Sequence, residues 1–218
     1  MPAALKGSLF ADNSVPDLLA EYDVLGFDAD HCMVKYNMPN LTRLLCKITA
    51  NDLVELYGYP EQIKEISDNL HGIALNNVVW DIEHRTLLKL GEGKIVVQAF
   101  RGTQRLQVSD IEALYGSPPI FQPLDYPATR MQSKTLEGAY WTMMTYFDCC
   151  KAPVIARGLD LIDQGIVTGK TDLDFAHDIQ RSCLRQYVNY SNDQYNPIGT
   201  YGDFFPAVIQ NPAEVILY

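Results

Sequence analysis

The sequence predicts an α/β protein in which a single N-terminal strand precedes a larger region of mixed α and β structure. Three observations predict it. A short β-rich apolar run, Tyr22 to Phe27, stops abruptly at Asp28-Ala29-Asp30. Two stretches with helical spacing follow, and only then do strand-like runs occur, the last two joined by a glycine turn. A hairpin after two helices departs from a simple alternating βαβ order.

Each element has a local reason. Tyr22, Val24, Leu25 and Phe27 suit a buried strand running out into a loop at His31 and Cys32. Leu41, Leu44, Leu45, Ile48, Leu53 and Leu56 recur at helical spacing, with Asn37 or Asn40 as cap and Gly58 as terminator. Pro60 suits the first turn of a second helix carrying Ile63, Ile66 and Leu70. Strands are expected at Val78-Val79-Trp80, at Thr86 to Leu90 and at Lys94 to Val97, with Gly91-Glu92-Gly93 turning between the last two. Ser109 and Glu112 have capping-box spacing for a short helix ending near Gly116. The segment from Gly116 to Pro127 holds Pro118, Pro119, Pro123 and Pro127 and reads as a loop. A helix is expected from Thr135 to Cys150, with Leu136, Tyr140, Met143, Met144 and Phe147 along one side. Another is expected from about Asp172 to Tyr190, with Phe175, Ile179, Cys183 and Tyr187 at four-residue intervals. The tail from Tyr201 to Tyr218 is apolar and aromatic, broken by Pro206 and Pro212.

The totals narrow the function classes. At 218 residues and 47% apolar content, there is ample material for a core. A net charge of −10 argues against a nonspecific grip on nucleic acid, which needs clustered Lys and Arg. It leaves room for a small anionic substrate, because one divalent cation inverts the local field. Five cysteines, Cys32, Cys46, Cys149, Cys150 and Cys183, show no metal-site spacing, and Cys149-Cys150 reads as a buried or half-buried pair on a helix. Only a broken apolar run precedes Asp12, and no apolar stretch approaches a membrane span, so a reducing, cytoplasmic setting is expected.

Candidate chemistry centres on Asp28 and Asp30. Residues two apart share a face of an extended strand, so the two carboxylates converge if extension persists. Such a pair suits a hard cation, a phosphate held through it, or proton transfer; a solvated acidic turn is the alternative. Thr168-Gly169-Lys170-Thr171 resembles the end of a phosphate loop, but Gln164 stands where the loop needs glycine, and a turn leading into a helix is expected instead. The histidines His31, His71, His84 and His177 show no metal-ligand spacing with the cysteines, and no Gly-x-Ser-x-Gly occurs. The aromatic segment from Tyr140 to Phe147 is expected in the core rather than as a base-stacking platform. Arg181 and Arg185 are candidates for reaching a nucleobase or phosphate, although solvated helix charges are the default expectation.

The run Val24-Leu25-Gly26-Phe27-Asp28-Ala29-Asp30-His31-Cys32 resembles motif I of the haloacid-dehalogenase superfamily. More narrowly it resembles the cytosolic purine 5′-nucleotidase and 5′-nucleotidase domain-containing family. Tyr57-Gly58-Tyr59-Pro60, Val79-Trp80-Asp81 and Leu87-Leu88-Lys89-Leu90 match junctions of that family in order. The resemblance implies a Rossmann-like core, present here as its first strand only, with a mixed α+β cap insertion. It divides the chain into residues 1–38 as the core piece with the DxD loop, 39–208 as the cap, and 209–218 as the start of a truncated return to the core.

The resemblance also implies a mechanism. Asp28 is the nucleophile that forms an aspartyl-phosphate, Asp30 is the general acid and then base, and both help to hold Mg²⁺. The substrate is a nucleoside monophosphate or another small phosphomonoester. Cys32 stands where the family has Thr, and the family's later Ser or Thr, Lys and further acid fall after the cap, so low or absent activity of this chain is expected. The competing reading is a noncatalytic nucleotide-binding or protein-interaction module derived from the same family.

Overall fold

The computed structural model describes residues 23–24, 26, 32–74, 77–122, 140–143, 145–187, 190–191, 194–195 and 212–217. The chain divides into two units, Met1–Lys35 with Tyr218, and Tyr36–Leu217. In the first, Asp23 and Val24 belong to no strand and Val24 is 83% exposed, so the buried strand expected here is not formed at these positions. An apolar strand is buried only where neighbouring elements cover it, and no described strand pairs with these residues. Most of that expected strand, Pro123, Pro127 and residues 201–211 of the tail lie outside the described residues.

A two-residue strand, β1 (Lys35–Tyr36), leads into helix α1 (Met38–Glu55). Asn37 caps α1, its side chain accepting from the Asn40 N–H, and Pro39 occupies the first turn, where no backbone donor is needed. The chain after Pro60 forms two 3₁₀ turns, Glu61–Lys64 and Asp68–Ala74, rather than one α-helix. They still bury Ile63 and Leu70.

The strands β2 (Val78–Asp81), β3 (Thr86–Leu90), β4 (Val96–Arg101), β5 (Gln104–Arg105) and β6 (Tyr140–Met143) form one antiparallel sheet in the order β5-β4-β3-β2-β6. Gly93 makes the turn before β4 possible with φ of +66°, a conformation costly for residues with a Cβ. Helix α2 (Val108–Tyr115) starts one residue before Ser109, so its capping box is Gln107 with Asp110, not Ser109 with Glu112. Glu112 instead accepts from the Ser117 hydroxyl at 3.1 Å.

The helix expected from Thr135 to Cys150 is replaced by β6 and a short helix, α3 (Tyr146–Cys149); Leu136 and Met144 lie outside the described residues. Tertiary pairing decides this. β6 closes the edge of β2 in register Val78 with Met143 and Trp80 with Trp141, and the aromatic and β-branched run suits that surface. Helix α4 (Ala152–Asp163), absent from the sequence reading, is buried on nearly every side. Helix α5 (Asp172–Tyr187) follows as expected and ends three residues early. A small hairpin, β7 (Tyr190–Ser191) with β8 (Gln194–Tyr195), precedes α6 (Pro212–Val215) and β9 (Ile216–Leu217). The Val215 carbonyl accepts from the Asn37 N–H at 2.8 Å, tying α6 to the start of α1.

The sheet is covered on both faces. Strand residues alternate, so the cross-strand row Trp141, Trp80, Leu87 and Phe100 faces one cluster with α1, α4 and α5. The adjacent row, with Val79, Leu88 and Ala99, faces a smaller cluster with Ile111 and Phe121. Gly158 on α4 lies so close to the Phe175 ring of α5 that a Cβ there has no room. Among the described residues no helix is long and apolar enough to cross a membrane.

Candidate functional site

Asp28 and Asp30, the carboxylates singled out by the sequence, lie outside the described residues, as does His31. The adjoining Cys32 is exposed. Among the described residues, the best-built polar cluster sits where β2 turns into β3. Asp81 ends β2 and is buried, with two oxygens that need partners. Its Oδ1 accepts from the His84 backbone N–H at 3.2 Å, an Asx-type closure of the turn. Its Oδ2 accepts from the Tyr115 hydroxyl at 2.8 Å, and the His84 Nδ1 stands 2.8 Å away. An ionised carboxylate only accepts, so Nδ1 is the donor of this contact. Thr86 Oγ1 and the Tyr115 oxygen are 2.7 Å apart and complete the chain. Burial, with the nearby Asp81 charge, pushes the Tyr115 phenol well above its ordinary value, so it remains a donor.

This cluster borders a recess of about 190 Å³ with walls from Leu114, Ile120 and Phe121 and polar groups from Glu83 and Gln122. A carboxylate-oriented imidazole on such a recess is suited to accept a proton or to bind a polar head group. Sequence reasoning passed over Asp81 and His84. Their i, i+3 spacing in a turn between two strands was the available signal, but Tyr115 arrives from α2 only through folding.

A second cluster explains Gly169-Lys170-Thr171. Gly169 takes φ of +74°, and Thr171 caps α5 by exchanging hydrogen bonds with Asp174. The Lys170 Nζ lies 2.6 Å from Asp178 and 4.6 Å from the centre of the Tyr59 ring. Tyr59 donates to the same carboxylate at 3.0 Å, and burial followed by the Asp178 charge raises its phenol far above the usual range. The lysine thus sits in a turn leading into α5, as expected, and pairs with Asp178 in the second turn of that helix. Of the two candidate arginines, Arg181 approaches Asp178 at 3.7 Å while 68% exposed, and Arg185 bonds Asp52 at 3.1 Å. Asp52 also accepts from Ser182 at 2.8 Å, and Gln186 donates to Thr49 at 2.8 Å, so α1 and α5 share a buried polar seam.

The cysteines form no disulfide. Cys46 donates to the Cys150 carbonyl at 3.0 Å and Cys149 to the Met143 carbonyl at 3.2 Å. Burial pushes the Cys46 thiol up to about 12 and the Cys150 and Cys183 thiols to about 11, so these sulfurs stay protonated. Lys151, fully buried beside them, donates to the Phe147 carbonyl at 2.7 Å. No group of three or more His, Cys, Asp or Glu side chains suited to a metal ion occurs among the described residues.

Comparison with known proteins places these features in a family. A profile of the 5′ nucleotidase family matches residues 10–196, which include Asp28, Asp30 and the whole five-stranded sheet. The chain belongs to the 5′ nucleotidase family. It is also similar to the human and bovine proteins named 5′-nucleotidase domain-containing protein 1, at 26% identity over 198 residues in each case. Those matches cover 91% of this chain but 41% and 42% of the relatives, so the chain spans about two fifths of their length.

Proposed function

We propose that this chain serves the Mg²⁺-dependent hydrolysis of nucleoside monophosphates through an aspartyl-phosphate on Asp28, with residues 39–208 acting as the cap. The observation that carries the reading is the Asp28-Ala29-Asp30 run inside the segment matched by the family. A carboxylate oxygen of Asp28 attacks phosphorus while the ester P–O bond breaks. Asp30 gives its proton to the leaving nucleoside oxygen. The same carboxylate then takes a proton from water, which attacks the phosphorus, releases phosphate and restores Asp28. The donor set is compatible with Mg²⁺, since the Asp28 carboxylate and the Asp30 main-chain carbonyl are hard oxygen ligands. Bound there, the cation offsets the charge of the phosphoryl group and the nucleophile.

In the same reading, the Ser or Thr and the Lys that balance phosphate charge come from after the cap, and turnover by the 218-residue chain alone is negligible. Its unpaired thiols suit a reducing compartment, the cytoplasm. The test is calorimetric titration with a nucleoside monophosphate and Mg²⁺, beside a phosphate-release assay. Mg²⁺-dependent binding that vanishes in Asp28→Asn with Asp30→Asn is the expected result. Mg²⁺-dependent binding that survives both replacements overturns the catalytic reading in favour of a noncatalytic module; strong Asp28-dependent turnover overturns the expectation of negligible activity.

A further inference from the structure

On a chain with 17 basic and 27 acidic residues, three cations line one cavity of about 400 Å³. Arg43 and Lys47 stand one helical turn apart on α1, with Asn51 a turn further on, so all three point from one stripe. Lys64, on the 3₁₀ turn Glu61–Lys64, lines the same cavity. None of the described lining residues is acidic. Buried Cys46 and Ala50, with half-buried Ile66, add an apolar surface. The Cys46 thiol stays protonated, as shown above, and adds no negative charge.

The cations differ in how they are held. The Arg43 guanidinium is oriented by the Asn40 side chain, to which it donates at 2.9 Å. Lys64 pairs at 3.0 Å with Glu61, whose side chain is 72% exposed. Exposed i, i+3 pairs of this kind are weak and readily exchange for a better anion. An arginine fork and two lysine point charges on one cavity match a multiply charged group rather than a single carboxylate. The volume exceeds what inorganic phosphate fills and lies in the range of small-molecule sites. From this we infer that the cavity between α1 and the Glu61–Lys64 turn binds a small phosphorylated metabolite. Its phosphates lie on Arg43, Lys47 and Lys64, and its organic part rests against Cys46, Ala50 and Ile66.

The site is separate from Asp28 and Asp30 in sequence and does not depend on the nucleotidase reading. ATP, without Mg²⁺, is the probe, titrated into the 218-residue chain with adenosine and pyrophosphate as companion ligands. Saturable ATP binding that weakens about tenfold or more in the variant R43E/K47E, and falls as salt rises, is expected. Adenosine is expected to bind far more weakly than ATP, and pyrophosphate at an intermediate level. Asp28→Asn leaves ATP binding unchanged. If R43E/K47E does not fold, Lys47→Gln alone, at an exposed position, reads the same loss at about two- to fivefold. No saturable ATP binding, unchanged affinity in these variants, loss in Asp28→Asn, or adenosine binding as tightly as ATP overturns the site.

Discussion

The two faces of the five-stranded sheet are built from the same strands yet differ in kind. One carries Val78, Trp80 and Leu87 into a large core with α1, α4 and α5, where Trp80 meets Phe175 edge-on at 5.5 Å. The other carries Val79, Leu88 and Ala99 against only Ile111, Phe121 and a few partly buried neighbours. Polar groups follow the same division. On the helical side, buried Asp52 accepts from Ser182 of α5 and buried Asp178 accepts from Tyr59 in the turn after α1, so the seam ties α1 to α5. On the thinner side, Asp81 is buried but its network runs through Tyr115 and His84 to an open recess. Period-two alternation thus assigns one face to stability and leaves the other room for a ligand.

That contrast can be broken by substitution. The largest effect is expected from Trp80→Ala, at about 3–5 kcal/mol in urea unfolding, because the ring is fully buried among residues of three helices. A loss below about 2 kcal/mol would mean that the helical face collapses around the cavity and is no tighter than its opposite. Leu87 and Leu88 give the sharpest comparison, being the same residue on opposite faces of β3. Leu→Ala is expected to cost about 2–5 kcal/mol at each, with Leu87 the larger; the reverse order would invert the ranking of the faces.

Tyr115→Phe removes one donor to buried Asp81 and leaves His84 in place, so about 1–2 kcal/mol is expected, together with faster hydrogen exchange in the turn after β2. No change in that exchange would show that the phenol does not hold the turn. The smallest effect concerns Asp163, which bonds Arg85 at 2.6 Å and Arg101 at 3.2 Å. Partial burial raises its carboxyl, but the hydrogen bonds and charges of the two arginines outweigh that and hold it below the usual range. A depressed folded value contributes stability above the unfolded pKa of about 4, lost as pH falls through the folded value. Asp163→Asn is therefore expected to cost about 0.5 kcal/mol at pH 7, discounted for the group's exposure, with the gap in Tm closing as pH falls below the ordinary carboxylate range. A gap that persists or widens in acid would remove the ion-pair explanation.

How far the sequence carried depended on the range of the deciding interactions. Asn37 at the start of α1, the strands around Trp80 and Leu88, and the turn leading into α5 were legible because caps, alternation and glycine turns act within a few residues. The Tyr140–Met143 strand was not, since its aromatic and methionine spacing fits a helix until the open edge of β2 is available to pair with it. Helix α4 was missed although its spacing was available, since Arg157, Asp160 and Asp163 recur at three-residue intervals opposite buried Val154, Ile155, Leu159 and Leu161.

Sequence alone pointed to the family, through Asp28, Asp30 and ordered junctions, because such motifs are local strings, and the family profile matches residues 10–196. The grouping of Asp81, His84 and Tyr115, and of Arg43, Lys47 and Lys64, was decided only by tertiary structure. Tyr115 lies 34 residues beyond Asp81, and Lys64 stands on a separate turn from α1. Nothing in the linear order encodes those approaches; they follow from where helices and turns must pack to cover the sheet and bury their apolar sides.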